Sequence, residues 1–365
     1  MPLVKDDRLS TSQFRFYTAD EYWSELIRLM SETKPGSRVL LTSMSFHPDE
    51  PPVASVMSSL KATAKRGVKT TLLIDAQTFL IKKLVWGELP GPLWPKLKLP
   101  KRMRQPYAFR LHSLEQLAAT TDGEYRIINL PSKRFDLPVA GRSHIKLAIV
   151  DDQVFLGGCN LQGTKSIDLM VGLKDKLLAD WLYSLLKQVQ AEASVNKALA
   201  GQDICRPIDE NTDLLIDAGI KKQSVILDSA IDLIDSAQDW ILITCQFFPN
   251  GITAAALLRA KARGVKIEII FSHPTIHGPV GSMFHRGNML RERLRVPADF
   301  FNGMMAKEDT KLHAKLLASD KGTIIGSHNY VKAGVNLGTA EIALISHDPS
   351  FTAQALASLE RARSN

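Results

Sequence analysis

Apolar residues along this chain recur in two alternating regimes, every second position and helical spacing, separated by Gly, Pro and polar clusters. The first half reads as a strand Phe14–Thr18, a helix from Asp20 to Thr33 and a strand Arg38–Met44. A helix Ala54–Lys65 and a strand Val68–Asp75 follow. In the first helix Tyr22, Leu26, Leu29 and Met30 fall on one face, and Pro35-Gly36 stops it. The second half repeats the order: a strand at Leu214–Ile216, a helix Ser224–Ala237, a strand Trp240–Phe248, a helix Ala254–Arg263 and a strand Val265–Phe271. Ala64-Lys65-Arg66-Gly67-Val68-Lys69 matches Lys261-Ala262-Arg263-Gly264-Val265-Lys266 almost residue for residue. The pattern predicts a duplicated α/β protein with a mixed, helix-flanked sheet in each half. The expected division is 1–193, a linker at 194–223, and 224–365, with the first strand of the second half at about 213–217.

The duplication extends to the polar residues. His144-Ile145-Lys146 leads to Asp151, Gly157-Gly158 and Asn160, and His313-Ala314-Lys315 leads to Asp320, Gly326-Ser327 and Asn329. In both copies Lys lies 2 residues after His, Asp 7, the first Gly 13 and Asn 16. Agreement at five positions is not a plausible accident. Both segments read as buried strands, and residues i and i+2 of a strand share a face, so each His points with its Lys. Two such side chains on a packed face are costly unless something anionic sits there. Asp151 and Asp320 fall on the opposite face, so a structural role is expected, bonding the backbone of their own turns.

The paired His-x-Lys-x4-Asp and Gly-[Gly/Ser]-x-Asn motifs resemble the phospholipase D superfamily, and the order of the two glycine motifs is similar to that of cardiolipin synthases. The resemblance implies two similar domains packed about a pseudo-twofold axis, with both His/Lys faces in one pocket. A chain with both motifs then needs no second copy for chemistry. It also implies metal- and cofactor-free phosphodiester chemistry on phospholipids, with His144 as nucleophile and His313 as general acid/base. Lys146 and Lys315 supply positive charge and Asn160 and Asn329 amide donors. Ser327 and the N–H groups of the glycine turns are expected to add further donors. Asp168 and Glu341, on the strands after each motif, match carboxylates that orient the histidines. His47 is expected to rim the pocket, and His328 occupies the variable motif position without an assigned role.

Composition locates the charge. The distance from Gly67 to His144 is 77 residues but that from Gly264 to His313 only 49, so the first half carries an insertion at about 79–110. It holds Lys82, Lys83, Lys96, Lys98, Lys101, Arg102, Arg104 and Arg110 against one acid, Glu88, and so accounts for nearly all of the formal charge of +8. Trp86, Trp94 and several leucines interleave, and five prolines are expected to forbid a continuous helix. A solvated loop, a surface for an anionic membrane and a cradle for nucleic acid all fit this composition, the leucines favouring lipid. A nuclease is therefore the alternative reading of the same motifs. Three scattered cysteines form no disulfide or zinc pattern. With no apolar leader and no run long enough to span a bilayer, a cytoplasmic protein peripheral to the inner face of the membrane is expected.

Overall fold

The computed structural model describes residues 14–79, 101–130, 140–163, 166–272, 283, 286–287, 290, 305–308 and 311–364. The first half runs β1 (Arg15–Thr18), α1 (Ala19–Glu32), β2 (Arg38–Ser43), α2 (Val53–Lys65), β3 (Lys69–Asp75), α3 (Lys101–Ala118), β4 (Gly123–Ile128) and β5 (Leu147–Val150). It continues with β6 (Gln153–Gly157), β7 (Ser166–Ile167), β8 (Leu169–Lys174), α4 (Lys176–Glu192) and α5 (Val195–Ala198). Local chemistry starts α1. The Thr18 hydroxyl accepts from Glu21 N while the Glu21 carboxylate accepts from Thr18 N, and Tyr22, Trp23, Leu26 and Met30 bury the face behind this cap.

The second half runs β9 (Ile204–Pro207), β10 (Thr212–Ala218), α6 (Val225–Ser236), β11 (Trp240–Cys245), α7 (Ile252–Ala262), β12 (Lys266–Ser272), β13 (Met305–Glu308) and β14 (Lys311–Leu312). Then come β15 (Leu316–Ser319), β16 (Gly322–Gly326), α8 (Lys332–Leu337), β17 (Ala340–Ser346) and α9 (Pro349–Ser364). The first sheet has the order β1-β8-β6-β5-β2-β3-β4 and the second β13-β12-β11-β15-β16-β17-β10-β9. Strand for strand these are the same sheet, with β9 added at one edge. The stretch 194–223 is therefore not a bare linker: it supplies α5 and two strands of the second sheet. Its polar look comes from β9 being an edge strand, where exposed Cys205 and Pro207 are tolerated.

One face of each sheet, with α4 and α9, closes a shared core in which Leu147, Ile149 and Leu169 join Leu316, Ile342 and Leu344. The outer faces are covered by α1, α2 and α3 in the first half and by α6 and α7 in the second. Helix α3 runs through Pro106, so the end of the insertion is helical after all. Arg110 on it is buried and donates to Thr78 O at 2.7 Å, with a second contact to His47 Nε2 at 3.1 Å. It is thus an internal tether rather than part of a basic surface. Lys82, Lys83, Trp86, Trp94, Lys96 and Lys98 lie outside the described residues, as do His277 and His285. Lys101, Arg102 and Arg104 lie on the first turns of α3.

The motif aspartates are structural, though not through their own turns. Asp151 accepts from Arg38 N at 3.0 Å and Ser37 Oγ at 2.9 Å, at the start of β2. Asp320 accepts from Gln238 N at 3.1 Å and Asp239 N at 3.2 Å, just before β11. Each ties the strand behind its motif to the neighbouring strand. Asp320→Ala is expected to lower stability by about 2 kcal/mol in urea unfolding, the scale of hydrogen bonds to a charged group. Burial pushes the Asp320 carboxyl up, but the N–H groups of Asp239 and Gln238 outweigh it and hold the carboxyl below its ordinary value. The contribution is thus complete at neutral pH and lost as pH falls below about 4 through the depressed folded value.

Candidate active site

The regular ladder of each motif strand begins after the lysine, at Leu147 and Leu316; the His-x-Lys segments just before it reach across to the other half. Ser143 bridges Ala340, His144 N donates to Ala340 O at 2.8 Å, and Ala340 N donates back to Arg142 O at 2.8 Å. Correspondingly β14 pairs in parallel with β7, and His313 N donates to Ile167 O at 2.8 Å. This crosswise pairing decides which carboxylate meets which histidine. His144 Nδ1 donates to Glu341 Oε2 at 2.9 Å, and His313 Nδ1 donates to Asp168 Oδ2 at 2.7 Å. Each imidazole is held by an acid from the other half, and each is left with Nε2 for chemistry.

The lysines lie on the faces that the alternation predicts. Lys146 Nζ donates to His144 O at 2.7 Å and Lys315 Nζ donates to His313 O. Both are only 1% exposed. The two motifs converge closely enough for the Lys315 charge to act on His144 as well as on His313. Asn160 borders a cleft with His313 and Asp168, and its Oδ1 accepts from Ser43 Oγ and Ser45 N at 3.4 Å each. In the second half Cys245 stands where Ser43 does, and its thiol donates to Phe247 O at 2.7 Å. Asn329 Oδ1 is buried without a hydrogen-bond partner. Asn160 is therefore held as a donor, while Asn329 lacks the same clamp. Among the described residues, no group of three or more His, Cys, Asp or Glu is gathered so as to hold a metal ion.

A family model described as "Cardiolipin synthase, PLD-like domain" matches residues 230–363, which contain the second motif. The fold of the whole chain resembles that of phosphatidylserine synthase from Haemophilus influenzae Rd KW20, with a TM-score of 0.67 at 15% identity over 96% of this chain and 85% of that one. The second half thus matches a phospholipase D-like domain, and the whole chain shares its fold with a phosphatidylserine synthase. The fold is also similar to that of polyphosphate kinase from Porphyromonas gingivalis, with a TM-score of 0.53 at 12% identity, over 96% of this chain and 50% of that longer one. No curated protein matches the sequence.

The glycine motifs make room for, or bond to, the two carboxylates. A Cβ on Gly158 would lie 1.9 Å from Asp168 Oδ1, so this position must be glycine for Asp168 to reach His313. The second motif has Ser327 here, and its hydroxyl donates to Glu341 Oε2 while accepting from Ile342 N. The donors expected from these turns are already spent. Gly157 N donates to Lys146 O, Gly158 N to Leu169 O, Gly326 N to Lys315 O and Ser327 N to Ile342 O. The two motif lysines and the Asn160 and Asn329 amides are then the groups of the paired motifs left to meet an anion.

Burial, then the Lys146 and Lys315 charges, holds the His144 imidazole well below its ordinary value. Burial and Lys315 lower His313 to about 3. Both histidines are accordingly neutral in the free protein. Asp168 is pushed up by burial but more strongly down by His313 and Lys315, and stays ionised, whereas burial raises Glu341 to about 7. Burial lowers Lys315 to about 8 against the opposing pull of Asp168 and Glu341. The useful form of Lys315 is the protonated one, so kcat/KM is expected to fall as pH rises through about 8. A pH–rate profile of Lys315→Arg checks the assignment: the limb near 8 should vanish, because guanidinium does not deprotonate there, and any other limb then reports Lys146, which burial also holds well below its ordinary value. A limb near 8 that persists would assign it to another group.

Several supporting residues escaped the motif. Asp75, fully buried at the end of β3, accepts from Ser143 N at 2.7 Å and Asn129 Nδ2 at 2.8 Å, and lies 3.5 Å from Arg142 Nη1. Its counterpart at the end of β12 is Ser272, whose hydroxyl donates to Leu312 O and accepts from Leu312 N, both at 2.8 Å. The residue before each motif histidine is thus clamped from an equivalent strand end. His328 is buried beside Glu341 and accepts from Tyr330 N at 3.0 Å. His47 faces Glu50 and Arg110.

Proposed function

We propose that this chain transfers the phosphatidyl group of a phospholipid to an alcohol, as in cardiolipin synthesis, or to water, without a metal ion and through a phosphohistidine. The observation that carries the reading is the crosswise pair of buried His–carboxylate dyads over two buried lysines. The match to a cardiolipin synthase-type domain supports lipid as the substrate class. Both dyads come from one chain, so the reaction needs no second copy.

In the first step His144 Nε2 bonds to phosphorus as the P–O bond to the leaving group breaks, and His313 gives that oxygen a proton. The anionic phosphodiester supplies the counter-charge that lets the buried His313 carry the proton beforehand. His313 then takes a proton from the incoming alcohol or water, whose oxygen attacks phosphorus and breaks the P–N bond. Lys146 and Lys315 neutralise the non-bridging oxygens throughout. The basic, Trp-containing stretch 80–100 is the part of the sequence suited to an anionic membrane surface.

The test is an EDTA-containing assay of wild type and His144→Ala on phosphatidylglycerol liposomes and, separately, on single- and double-stranded DNA. Lipid turnover that disappears in the variant, with DNA intact, supports the proposal, and cardiolipin as product names the acceptor. DNA cleavage that disappears in the variant, with lipid untouched, would replace it with a nuclease.

A further inference from the structure

The two halves differ at one charged position next to the site. Residues 142 and 311 each lie two before a motif histidine, and both are cations on the face that carries His and Lys. In the first half Arg142 is buried and pairs with an acid: its Nη1 lies 3.5 Å from Asp75 Oδ1, and its Nε donates to the carbonyl of Ala140. In the second half the place of Asp75 is taken by Ser272, which has no charge to offer. Among the described residues the Lys311 ammonium has no hydrogen bond or ion pair. It lines a narrow, partly open cleft of about 20 Å³ beside His313, walled by Trp23, Asn160, Gln162 and Ser166.

We propose that Lys311 forms a second anion subsite beside the phosphodiester, taking a further phosphate or carboxylate group carried on the leaving or accepting side of the substrate. A half-buried ammonium without a partner is an unfavourable arrangement that an anionic ligand relieves. Among the described residues the acids that act on it, Asp168 and Glu50, do not fill that role: Asp168 is committed to His313, and Glu50 to His47 and to Gly163 N. Burial accordingly holds Lys311 below its ordinary value despite both acids. Asn160 and Gln162 offer amide donors beside the ammonium, and Trp23 closes the cleft with an apolar wall. Lys146 and Lys315 are assigned to the reacting phosphate, and each also donates to the carbonyl of its own motif histidine. The subsite rests on the proposed phosphodiester chemistry only in that both share one cleft.

The test is calorimetric titration of the full chain with three probes: glycerol 3-phosphate, glycerol 1,3-bisphosphate and 3-phosphoglycerate. Wild type is expected to bind at least one of the two probes with two anionic groups about tenfold or more tightly than glycerol 3-phosphate, the scale of one charge-assisted contact. Whichever of the two is preferred identifies phosphate or carboxylate as the natural group. Lys311→Gln is expected to erase the preference while keeping monophosphate binding, and Lys311→Arg to keep it. No preference in wild type, a preference that survives Lys311→Gln, or equal loss of all three probes in that variant with the thermal midpoint unchanged would each overturn the subsite. Should Lys311→Gln prove misfolded, Lys311→Met takes its place under the same outcomes. Binding is read without turnover, so a failure of the lipid assay leaves this result standing on its own.

Discussion

Replacing His144 by alanine is expected to remove turnover by on the order of 10⁴-fold or more, because no other described group can take its place as nucleophile. Its counterpart separates the two roles. With a 4-nitrophenyl phosphodiester the leaving oxygen needs no proton, so His313→Ala should still form the phosphohistidine. It should then stall, since nothing activates the incoming water or alcohol. Rapid-mix kinetics should show a burst of about one nitrophenolate per protein molecule, and mass spectrometry should place the phosphoryl group on the peptide carrying His144. A burst from His144→Ala instead, with the adduct on His313, would reverse the assignment.

The next largest effects are expected at the carboxylates, and they should appear crosswise. Asp168→Asn leaves His313 without an anionic acceptor for its Nδ1–H, which costs about 10³- to 10⁴-fold where an acid fixes the tautomer of a catalytic imidazole. This variant should resemble loss of His313 and keep the burst, although Asp168 lies in the half that carries His144. Glu341→Gln should resemble loss of His144 and abolish the burst. The same rapid-mix experiment reads both. If each substitution instead matched loss of the histidine in its own half, the dyads seen here would not be the working pairs.

Much of this was legible in the sequence because it rests on local period. The alternation that put His144 beside Lys146 and His313 beside Lys315 also set Asp151 and Asp320 on the far face, and the two segments repeated one another. What sequence could not give was contact between chain-distant groups. Asp151 and Asp320 look like turn residues, yet their partners are N–H groups 113 and 82 positions away, respectively. The glycine turns look like anion cradles, yet the sheet ladder consumes their N–H groups and Gly158 is needed as space for Asp168. Arg110 was counted with a basic surface because charge alone does not reveal which way a helix turns a side chain. Lys311 did leave a signal, since Lys311, His313 and Lys315 alternate along one strand face. Its meaning depended on Ser272 standing where the first half has Asp75, which only the superposed sheets make evident.

The crosswise hydrogen bonds at Ser143–Ala340 and Lys311–Ser166 have a consequence for how this protein fails. Both His–carboxylate pairs span the seam between the halves, so under the proposed chemistry neither half holds a complete dyad of its own. Loosening the seam parts both imidazoles from their acids at once, however intact each sheet remains. Partial damage there should lower the fraction of active molecules while leaving the rate of each survivor unchanged, as with a latch that is either shut or open.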